Sequence, residues 1–252
     1  MKQKNKTVVR SMDILNLFID HPELTFQEII DLSGIPKSSV YRMLLSLEEM
    51  GFIEKGYDNK YRLGLIFLRF GNLVLSRLDI RQIAYPIMRD LHDELEEAIN
   101  LSIFQGEDET IYIEKIDLKQ TVRLYTAVGR KSPLYAGASS RIMLAHLPAD
   151  RIDQYLNTVQ FKSFAKGTIT NKEKLYELIE ESKQQGYSVS HSELHDYTSE
   201  VAAPIFNHDN EIVASLSVAG MYGNYQADRI EFYAKKLLEA TREISKSLGY
   251  RP

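Results

Sequence analysis

The segment from Thr25 to Leu63 constrains the fold more than any other part of this sequence, because helix signals, a turn and a hairpin follow in a fixed order. Thr25, followed three residues later by Glu28, has the spacing of a capping box and predicts the start of a helix. Gly34 ends that helix, since a residue without Cβ readily adopts the left-handed conformation. Pro36 suits the start of a second helix, where its missing N–H is not needed.

The second predicted helix has two different sides. Val40, Leu44 and Leu47 recur at helical spacing and should face the core. The other side is polar and basic in its first turns, and it is formed by Lys37, Ser38, Ser39, Tyr41 and Arg42. A recognition helix has this arrangement, because its N-terminal residues reach bases and phosphates while its apolar side packs on its own domain. These five residues are therefore predicted to contact double-stranded DNA.

A short hairpin is predicted directly after the second helix. The runs FIEK and KYRLG flank the turn GYDN, and the hairpin is a wing tipped with Lys55, Lys60 and Arg62. Lys60 joins the predicted DNA contacts. A helical pair followed by a hairpin without any DNA function is the alternative interpretation, since such motifs produce false matches. The basic first turns and the basic wing favour DNA binding.

Composition excludes several other classes of protein. The chain has 252 residues, enough for two domains, and its lack of cysteine excludes disulfides, thiol nucleophiles and cysteine zinc sites. The basic N-terminus MKQKNKTVV has no apolar signal core behind it, and no stretch approaches the ~20 apolar residues of a membrane span. A net charge of -4 argues against a protein that simply coats nucleic acid. We therefore expect a cytoplasmic protein with no membrane association.

The chain is expected to divide into three parts. Residues 1–63 form the winged helix-turn-helix domain, whose first helix, VVRSMDILNLFID, is capped by Thr7. The core side of that helix consists of Val9, Met12, Ile14, Leu15 and Phe18. Residues 64–80 are apolar around most of a helical circumference, which predicts a linker helix buried on several sides between domains or subunits. An ordinary core helix is an equal alternative for them. Residues 81–252 form the second domain.

The second domain is predicted to be α+β, on an antiparallel sheet. An amphipathic helix from Arg81 to Glu97 precedes three strand patterns, NLSIFQ, TIYIEKI and VRLYTAV. A helix from Asn171 to Gln185, the strands Val201–Phe206 and IVASLSVAG, and a final helix from Asp228 to Leu248 follow. Elements that mix without a regular βαβ alternation indicate this fold class.

A loop of small residues, Ala136 to Ser140, is predicted to open a helix that runs from about Ser139 to Leu147. Backbone N–H groups at a helix N-terminus favour an anion, so this loop is a candidate ligand site. Close packing without a ligand is the alternative interpretation, and the loop taken alone favours it.

Over nearly its whole length the chain resembles the IclR-type bacterial transcriptional regulators. PKSSVYRMLLSLEEMGFIEK followed by KYRLG resembles that family's winged helix-turn-helix, and PLYAGASSRIMLA resembles its effector-pocket segment. GYSVS, EVAAPIF and ASLSVAG resemble its C-terminal signature. The resemblance implies a GAF-like effector domain, a homodimer or dimer of dimers, and operator binding that a small molecule alters. Repression is the commoner mode in the family.

The resemblance also implies a set of effector-binding residues. They are Leu124, Ala138, Ser139, Ser190, Glu200, Ser217 and Ala219. Position 190 is often an acid in relatives and is Ser here, and position 200 is often Cys or another small residue and is Glu here. A small organic acid or related metabolite is the effector class that the family implies, but a pocket carboxylate disfavours anions unless it is paired or protonated. We therefore expect an effector with a carboxyl or carbonyl and a hydrogen-bond donor, unless Glu200 faces solvent.

Two enzyme interpretations and one binding interpretation compete with this function. HSELHD places His191 and His195 four residues apart, but the Glu does not follow the first His as a zinc-protease helix requires, so a solvated loop is favoured. Ser139 or Ser140 could be a nucleophile, but GASSR lacks the second Gly of a nucleophile elbow. An interaction module that does not bind DNA is the third alternative. The sequence favours a ligand-responsive DNA-binding regulator without catalytic residues, metal or cofactor.

Overall fold

The computed structural model describes residues 5–75, 79–117 and 127–251. The chain divides into two compact units, Met1–Arg77 and Leu78–Pro252. The described elements of the first unit are α1 (Lys6–Asp20), β1 (Leu24–Thr25), α2 (Phe26–Ser33), α3 (Lys37–Glu49), β2 (Ile53–Lys55), β3 (Lys60–Leu63) and α4 (Ile66–Leu75). The three strands form an antiparallel sheet in the order β1-β3-β2. This is a winged helix-turn-helix, which confirms the predicted fold of this unit.

The helix signals of α2 and α3 act as predicted. The Glu28 N–H donates to the Thr25 hydroxyl at 3.3 Å, while the Thr25 N–H donates to the Glu28 carboxylate at 2.7 Å, which completes the capping box. Gly34 ends α2 with a φ of 62°. On α3, the side chains of Val40, Leu44 and Leu47 are buried in the core of the unit.

The prediction for α1 is partly wrong. Asn5, rather than Thr7, caps the helix, because its side-chain oxygen accepts the N–H of Thr7 at 3.0 Å. Ile14, Leu15 and Phe18 are buried as predicted. The other two predicted core residues, Val9 and Met12, are exposed because only the second half of α1 packs on the core.

Helix α4 lies inside the predicted linker, residues 64–80, whose burial between domains or subunits stays a prediction. Its Phe67 and Phe70 rings contact the Phe52 ring at centroid distances of 5.6 and 6.4 Å. Leu68 and Leu73 are 64% and 54% exposed. Among the described residues of this unit, α4 packs through its two phenylalanines and leaves Leu68 and Leu73 exposed. No helix among the described residues is both long enough and apolar enough to cross a membrane.

The second unit is an α+β domain built on an antiparallel sheet, as predicted. Its described elements are α5 (Asp79–Leu95), β4 (Ala98–Gln105), β5 (Glu109–Ile116), β6 (Lys131–Pro133), α6 (Ala138–Ala145), α7 (Ala149–Thr158), α8 (Lys172–Gln185), β7 (Ser188–His191), β8 (Thr198–Phe206), β9 (Ile212–Met221) and α9 (Ala227–Ser247). The strand order is β6-β5-β4-β9-β8-β7. The sequence did not predict α7 or β6. Residues 122–126 of the predicted strand VRLYTAV lie outside the described part of the chain.

The six-stranded sheet has one apolar and one polar face. Residues directly opposite each other on neighbouring strands share a face. On one face, Leu101, Leu216 and other aliphatic side chains pack with residues of α5 and α9. On the other face, the register pairs Asn100 with Ser217 and Glu200 with Ala219, and all four are buried. Residues of α6 pack against this second face, so a polar sheet surface lies inside the domain.

Candidate functional site

The predicted DNA-contacting residues of α3 lie together at its N-terminal end. Lys37, Ser38, Tyr41 and Arg42 are exposed, and Ser39 is half-buried. The ring of Tyr41 contacts that of Phe26 edge-on, with centroids 6.3 Å apart. Since the apolar residues of α3 face the opposite way, this polar side can enter a DNA groove without disturbing the core.

The two basic residues of strand β3 are paired within the chain. Glu23 accepts a hydrogen bond from Lys60 and one from Arg62, the latter at 2.6 Å. Asp58 also binds Arg62, at 2.5 Å, and this contact lowers the pKa of the Asp58 carboxyl to about 2. The sequence predicted a wing tipped with basic residues but not the ion pairs that two of them form. It missed Glu23 because β1, the short strand that Glu23 precedes, was not predicted.

A small cavity lies over the polar face of the sheet, at the N-terminal end of α6. Its lining consists of Tyr112, Gly137, Ser190, Glu193, Leu194, His195, Thr198, Ser199, Glu200 and Ala219. Its volume of about 40 Å³ has room for a few water molecules or a fragment of similar size. A larger ligand requires the wall to move.

The structure places three of the seven predicted effector-binding residues in the lining of this cavity and a fourth in contact with it. Ser190, Glu200 and Ala219 line it, and Ser139 contacts Glu200. Two others are buried in the same domain but do not line the cavity: Ala138 packs with Ala202, and the Ser217 hydroxyl accepts the Asn100 amide at 3.5 Å. Leu124 lies outside the described residues.

Glu200 faces the inside of the domain and is only 7% exposed. One carboxylate oxygen accepts the Ser139 hydroxyl at 2.6 Å and the Tyr112 hydroxyl at 3.4 Å. The other accepts the Ser139 N–H at 3.2 Å. Burial, together with the nearby negative charge of Glu200, raises the pKa of Tyr112 well above its ordinary value. Tyr112 is therefore a neutral hydroxyl donor to a carboxylate.

A buried ion pair forms a second side of the cavity. Arg141 on α6 donates from Nη1 to both oxygens of Glu193, at 2.8 and 2.9 Å, and the two residues are 1% and 5% exposed. Arg141 also donates to the Ser188 hydroxyl at 3.1 Å and to the Val189 carbonyl. Burial raises the pKa of Glu193, against the opposing effect of Arg141 and the Gly137 N–H. The pair connects the loop after β7 to α6.

The prediction that HSELHD is a solvated loop is wrong at Glu193, because Arg141 holds that side chain inside the domain. His191 is the last residue of β7, so the helix that a zinc interpretation needs is not formed by these residues. The His191 Nδ1 lies 2.7 Å from the Ser199 hydroxyl. No cluster of three or more potential metal-binding side chains occurs in the described ranges.

Sequence reasoning missed Tyr112, Arg141 and Glu193 as parts of the site. Arg141 gave one detectable signal, since it is the only charged residue in the otherwise small and apolar run AGASSRIMLA. Such a charge is rarely buried without a partner. Glu193 offered no comparable signal, because its partner lies 52 residues away in the sequence.

A winged helix-turn-helix followed in the chain by an α+β unit with a buried polar cavity defines a class, the ligand-responsive DNA-binding transcriptional regulators. A model of the IclR helix-turn-helix domain matches residues 7–56, and a model of the C-terminal domain of the bacterial transcriptional regulator IclR matches residues 72–246. The chain belongs to the IclR family of transcriptional regulators.

Individual relatives match over the full length. The HTH-type transcriptional regulator KipR of Bacillus subtilis is 50% identical over 250 residues, which are 99% of this chain and 100% of KipR. The crystal structure of the Thermotoga maritima IclR is 31% identical, with a TM-score of 0.80 over 97% of this chain and 99% of that one. An IclR homologue from Microbacterium hydrocarbonoxydans complexed with 4-hydroxybenzoate has a TM-score of 0.79 at 24% identity, over 96% and 99% of the two chains, and is similar in fold.

Proposed function

We propose that this regulator reads its operator with the first turns of α3 and binds a small metabolite in the cavity at the N-terminal end of α6. Occupancy of the cavity then changes the affinity for the operator. The observation that carries the proposal is the buried polar face of the sheet, which opens into the cavity at Ser190, Glu200 and Ala219. Burying polar groups costs stability unless they are hydrogen-bonded, and a few convergent polar groups at a cavity are typical of a ligand site.

The proposed DNA contacts divide by type. Arg42 and Lys37 carry exposed cations, which suit phosphates or guanine edges, and Ser38, Ser39 and Tyr41 add hydroxyl groups. Lys60 contributes from the wing once phosphate competes with Glu23 for its ammonium group. Base readout is assigned to α3, and positioning on the phosphate backbone to the wing.

The proposed effector site consists of Ser139, Ser190, Glu200 and Ala219, with Ala138 and Ser217 supporting it. Leu124 keeps the role of an apolar wall that the family resemblance implies. That resemblance predicts a small organic acid or related metabolite. The carboxylates of Glu193 and Glu200 favour a ligand that carries a hydrogen-bond donor. The 4-hydroxybenzoate complex of the Microbacterium homologue supports small-molecule binding in a protein of this fold.

We also propose that the protein acts in the cytoplasm as a homodimer or a dimer of dimers, with repression as its mode. Exposed Leu68 and Leu73 on α4 support self-association through that helix. A two-fold dimer presents two recognition helices to half-sites ~34 Å apart or a multiple of that spacing. Repression is proposed because it is the commoner mode in the family. A reporter gene under the control of the operator measures whether the protein represses or activates.

The direct test replaces Arg42 by Ala. An operator is first selected from random double-stranded DNA with the wild-type protein, and affinity is then measured by gel-shift titration. Arg42→Ala should weaken specific binding by about 5- to 150-fold, because a bidentate base contact contributes ~1–3 kcal/mol. Arg242→Ala on α9, also an exposed arginine, is the control and should bind as the wild type does.

Unchanged operator affinity of Arg42→Ala would remove Arg42 from the interface. The ligand half of the proposal is tested with the same selected operator and a metabolite panel. At least one metabolite should change the operator affinity of the wild-type protein. Failure of the selection to enrich any sequence would return the chain to the class of interaction modules.

A further inference from the structure

The N-terminal end of α6 already holds two carboxylates of its own chain. The Gly137 N–H donates to Glu193 at 2.9 Å, and the Ser139 N–H donates to Glu200 at 3.2 Å. Gly137 provides no side-chain cap for this eight-residue helix, so the two glutamates supply negative charge where the helix dipole favours it. An acidic ligand at a helix N-terminus would use the same N–H groups.

Both carboxylates are firmly held. Glu193 is bound by Arg141 through both oxygens, and Glu200 is bound by Ser139 and Tyr112. Arg141 is also engaged with Ser188 and Val189, so its guanidinium is committed to the protein. A ligand carboxylate placed here would find the N–H groups already occupied and would meet the buried negative charge of Glu200, and that repulsion is strong where water is excluded.

Glu200 can still accept a further hydrogen bond. A carboxylate offers about four lone-pair sites, and the hydrogen bonds from Ser139 and Tyr112 occupy three of those on Glu200. The hydroxyl of Ser190 lies on the adjacent strand, directly opposite Glu200 in the register. A ligand N–H or O–H group that reaches this point finds an acceptor.

One cation, Arg130, acts against the negative charge of the two glutamates. The positive charge of Arg130 contributes to lowering the pKa of His195, so its field reaches the cavity. Arg130 is half-buried in the turn before β6, on the side of the cavity formed by Tyr112. The positive field of Arg130 would therefore favour an acidic ligand, against the effect of the two glutamates.

We propose that Glu193 and Glu200 are specificity-determining residues, which act as internal anions at the N-terminal end of α6. The cavity then selects a neutral or cationic ligand that donates a hydrogen bond to Glu200, such as an amide, amidine or amine, and rejects a carboxylate at that position. This inference rests on the proposed location of the effector site. It names the chemical class of the effector.

Acetate, acetamide and acetamidinium test the proposal, because they share a shape and carry charges of -1, 0 and +1. The thermal unfolding midpoint of the full-length wild-type protein is measured with each probe at neutral pH, against sodium chloride of equal ionic strength. Acetamide and acetamidinium should raise the midpoint, and acetate should not. The proposal would be overturned if acetate stabilised the wild type as much as acetamidinium does. In that case, loss of the stabilisation by acetate in Arg130→Gln would show that Arg130 binds the acetate.

Glu200→Ala should reverse the preference. Acetate can then take the place of the missing carboxylate on the Ser139 N–H, and it should raise the midpoint by roughly 2–4 °C at about five times its Kd. Glu231→Ala, which removes an exposed glutamate of α9, is the matched control and should keep the wild-type order. A folded Glu200→Ala protein that does not respond to acetate would contradict the proposal.

Glu200→Gln covers the case in which the alanine variant does not fold. It keeps the shape and an acceptor oxygen but removes the charge, so the preference for acetamidinium over acetate should shrink. Persistence of the full preference would assign it to another group. These measurements use no DNA, so an inverted probe order together with a metabolite-dependent operator shift would reject the ligand class alone. Failure of the operator selection would instead reject the proposed function.

Discussion

Arg141 carries a positive charge into the interior of the effector unit, where its only carboxylate partner among the described residues is Glu193. Replacing a buried ion pair by apolar groups is often tolerated, whereas removing one partner leaves an uncompensated charge. Because each partner of the pair can be replaced separately, the cost of a lone buried charge can be measured.

Arg141→Met should lower the free energy of unfolding of the effector unit by about 3–5 kcal/mol, because Glu193 stays buried without a counterion. Urea unfolding followed by circular dichroism measures this loss. The double variant Arg141→Met, Glu193→Gln should recover part of it, since no lone charge remains. A single variant as stable as the wild type would show that Glu193 reaches solvent or another partner.

His195 should make stability depend on pH. Burial and the charge of Arg130 lower its pKa from 6.5 to about 4 in the folded protein. Between these two values the unfolded chain binds more protons, so the free energy of unfolding is highest above 6.5 and falls as the pH decreases toward 4. For a partly exposed histidine the contribution is roughly 1–2 kcal/mol.

The measurement compares the wild type with His195→Gln in urea unfolding from neutral pH to about pH 4. The variant should lose less stability on acidification. Glu97 and Glu193, whose pKa values are raised by burial, change stability in the opposite direction. His146 and His191, whose pKa values burial lowers, act in the same direction as His195. These four residues are present in both the wild type and His195→Gln. Parallel curves of unfolding free energy against pH would therefore mean that the pKa of His195 is not lowered.

At the scale of elements, two cations of the wing are paired with carboxylates of the same chain. Strand β1 pairs with β3, with Thr25 opposite Lys60, and this brings Glu23 to Lys60 and Arg62. The ion pairs are half-exposed, so they contribute little to stability. Their effect on DNA binding should be larger if the wing contacts DNA as proposed, because phosphate then has to compete with Glu23 for the same cations.

Glu23→Gln should therefore tighten operator binding and make it more dependent on salt. Each additional phosphate contact adds about 0.9 to the slope of log K against log salt concentration. Fluorescence anisotropy titrations over a range of salt concentrations measure that slope for the wild type and the variant. Glu49→Gln, at the far end of α3, removes an exposed charge away from the wing and is the control. Equal slopes for all three proteins would mean that Glu23 does not keep the wing cations from phosphate.

Elements with local signals were predictable from the sequence, and elements defined by their partners were not. The capping box at Thr25, the left-handed Gly34 and the apolar spacing on α3 are local and were predicted. Strand β1 has two residues and β6 has three, which is too short for any periodicity to appear. In the cavity, the family resemblance indicated Ser139, Ser190 and Glu200. The roles of Tyr112, Arg141 and Glu193 depend on contacts between distant segments.

At the scale of the whole molecule, the exposed apolar side of α4 predicts self-association. Leu68→Glu combined with Leu73→Glu should convert a homodimer into a monomer, because two charges cannot be buried in an apolar contact without a large desolvation cost. Sedimentation velocity at micromolar concentration measures the state. Leu32→Glu, which changes an exposed leucine of α2, is the control and should remain dimeric. A wild-type protein that sediments as a monomer would refute the prediction.

The two faces of the six-stranded sheet have a consequence for how such a regulator can acquire a new input. The aliphatic face against α5 and α9 belongs to the largest apolar cluster of the domain, and the polar face under α6 carries the groups proposed to choose a ligand. If the proposed site is correct, substitutions at 190, 200 and 219 should alter the chemical signal while the core that keeps the domain folded stays the same. Selection can exchange one signal for another in few steps, and the DNA-binding unit does not have to change with it.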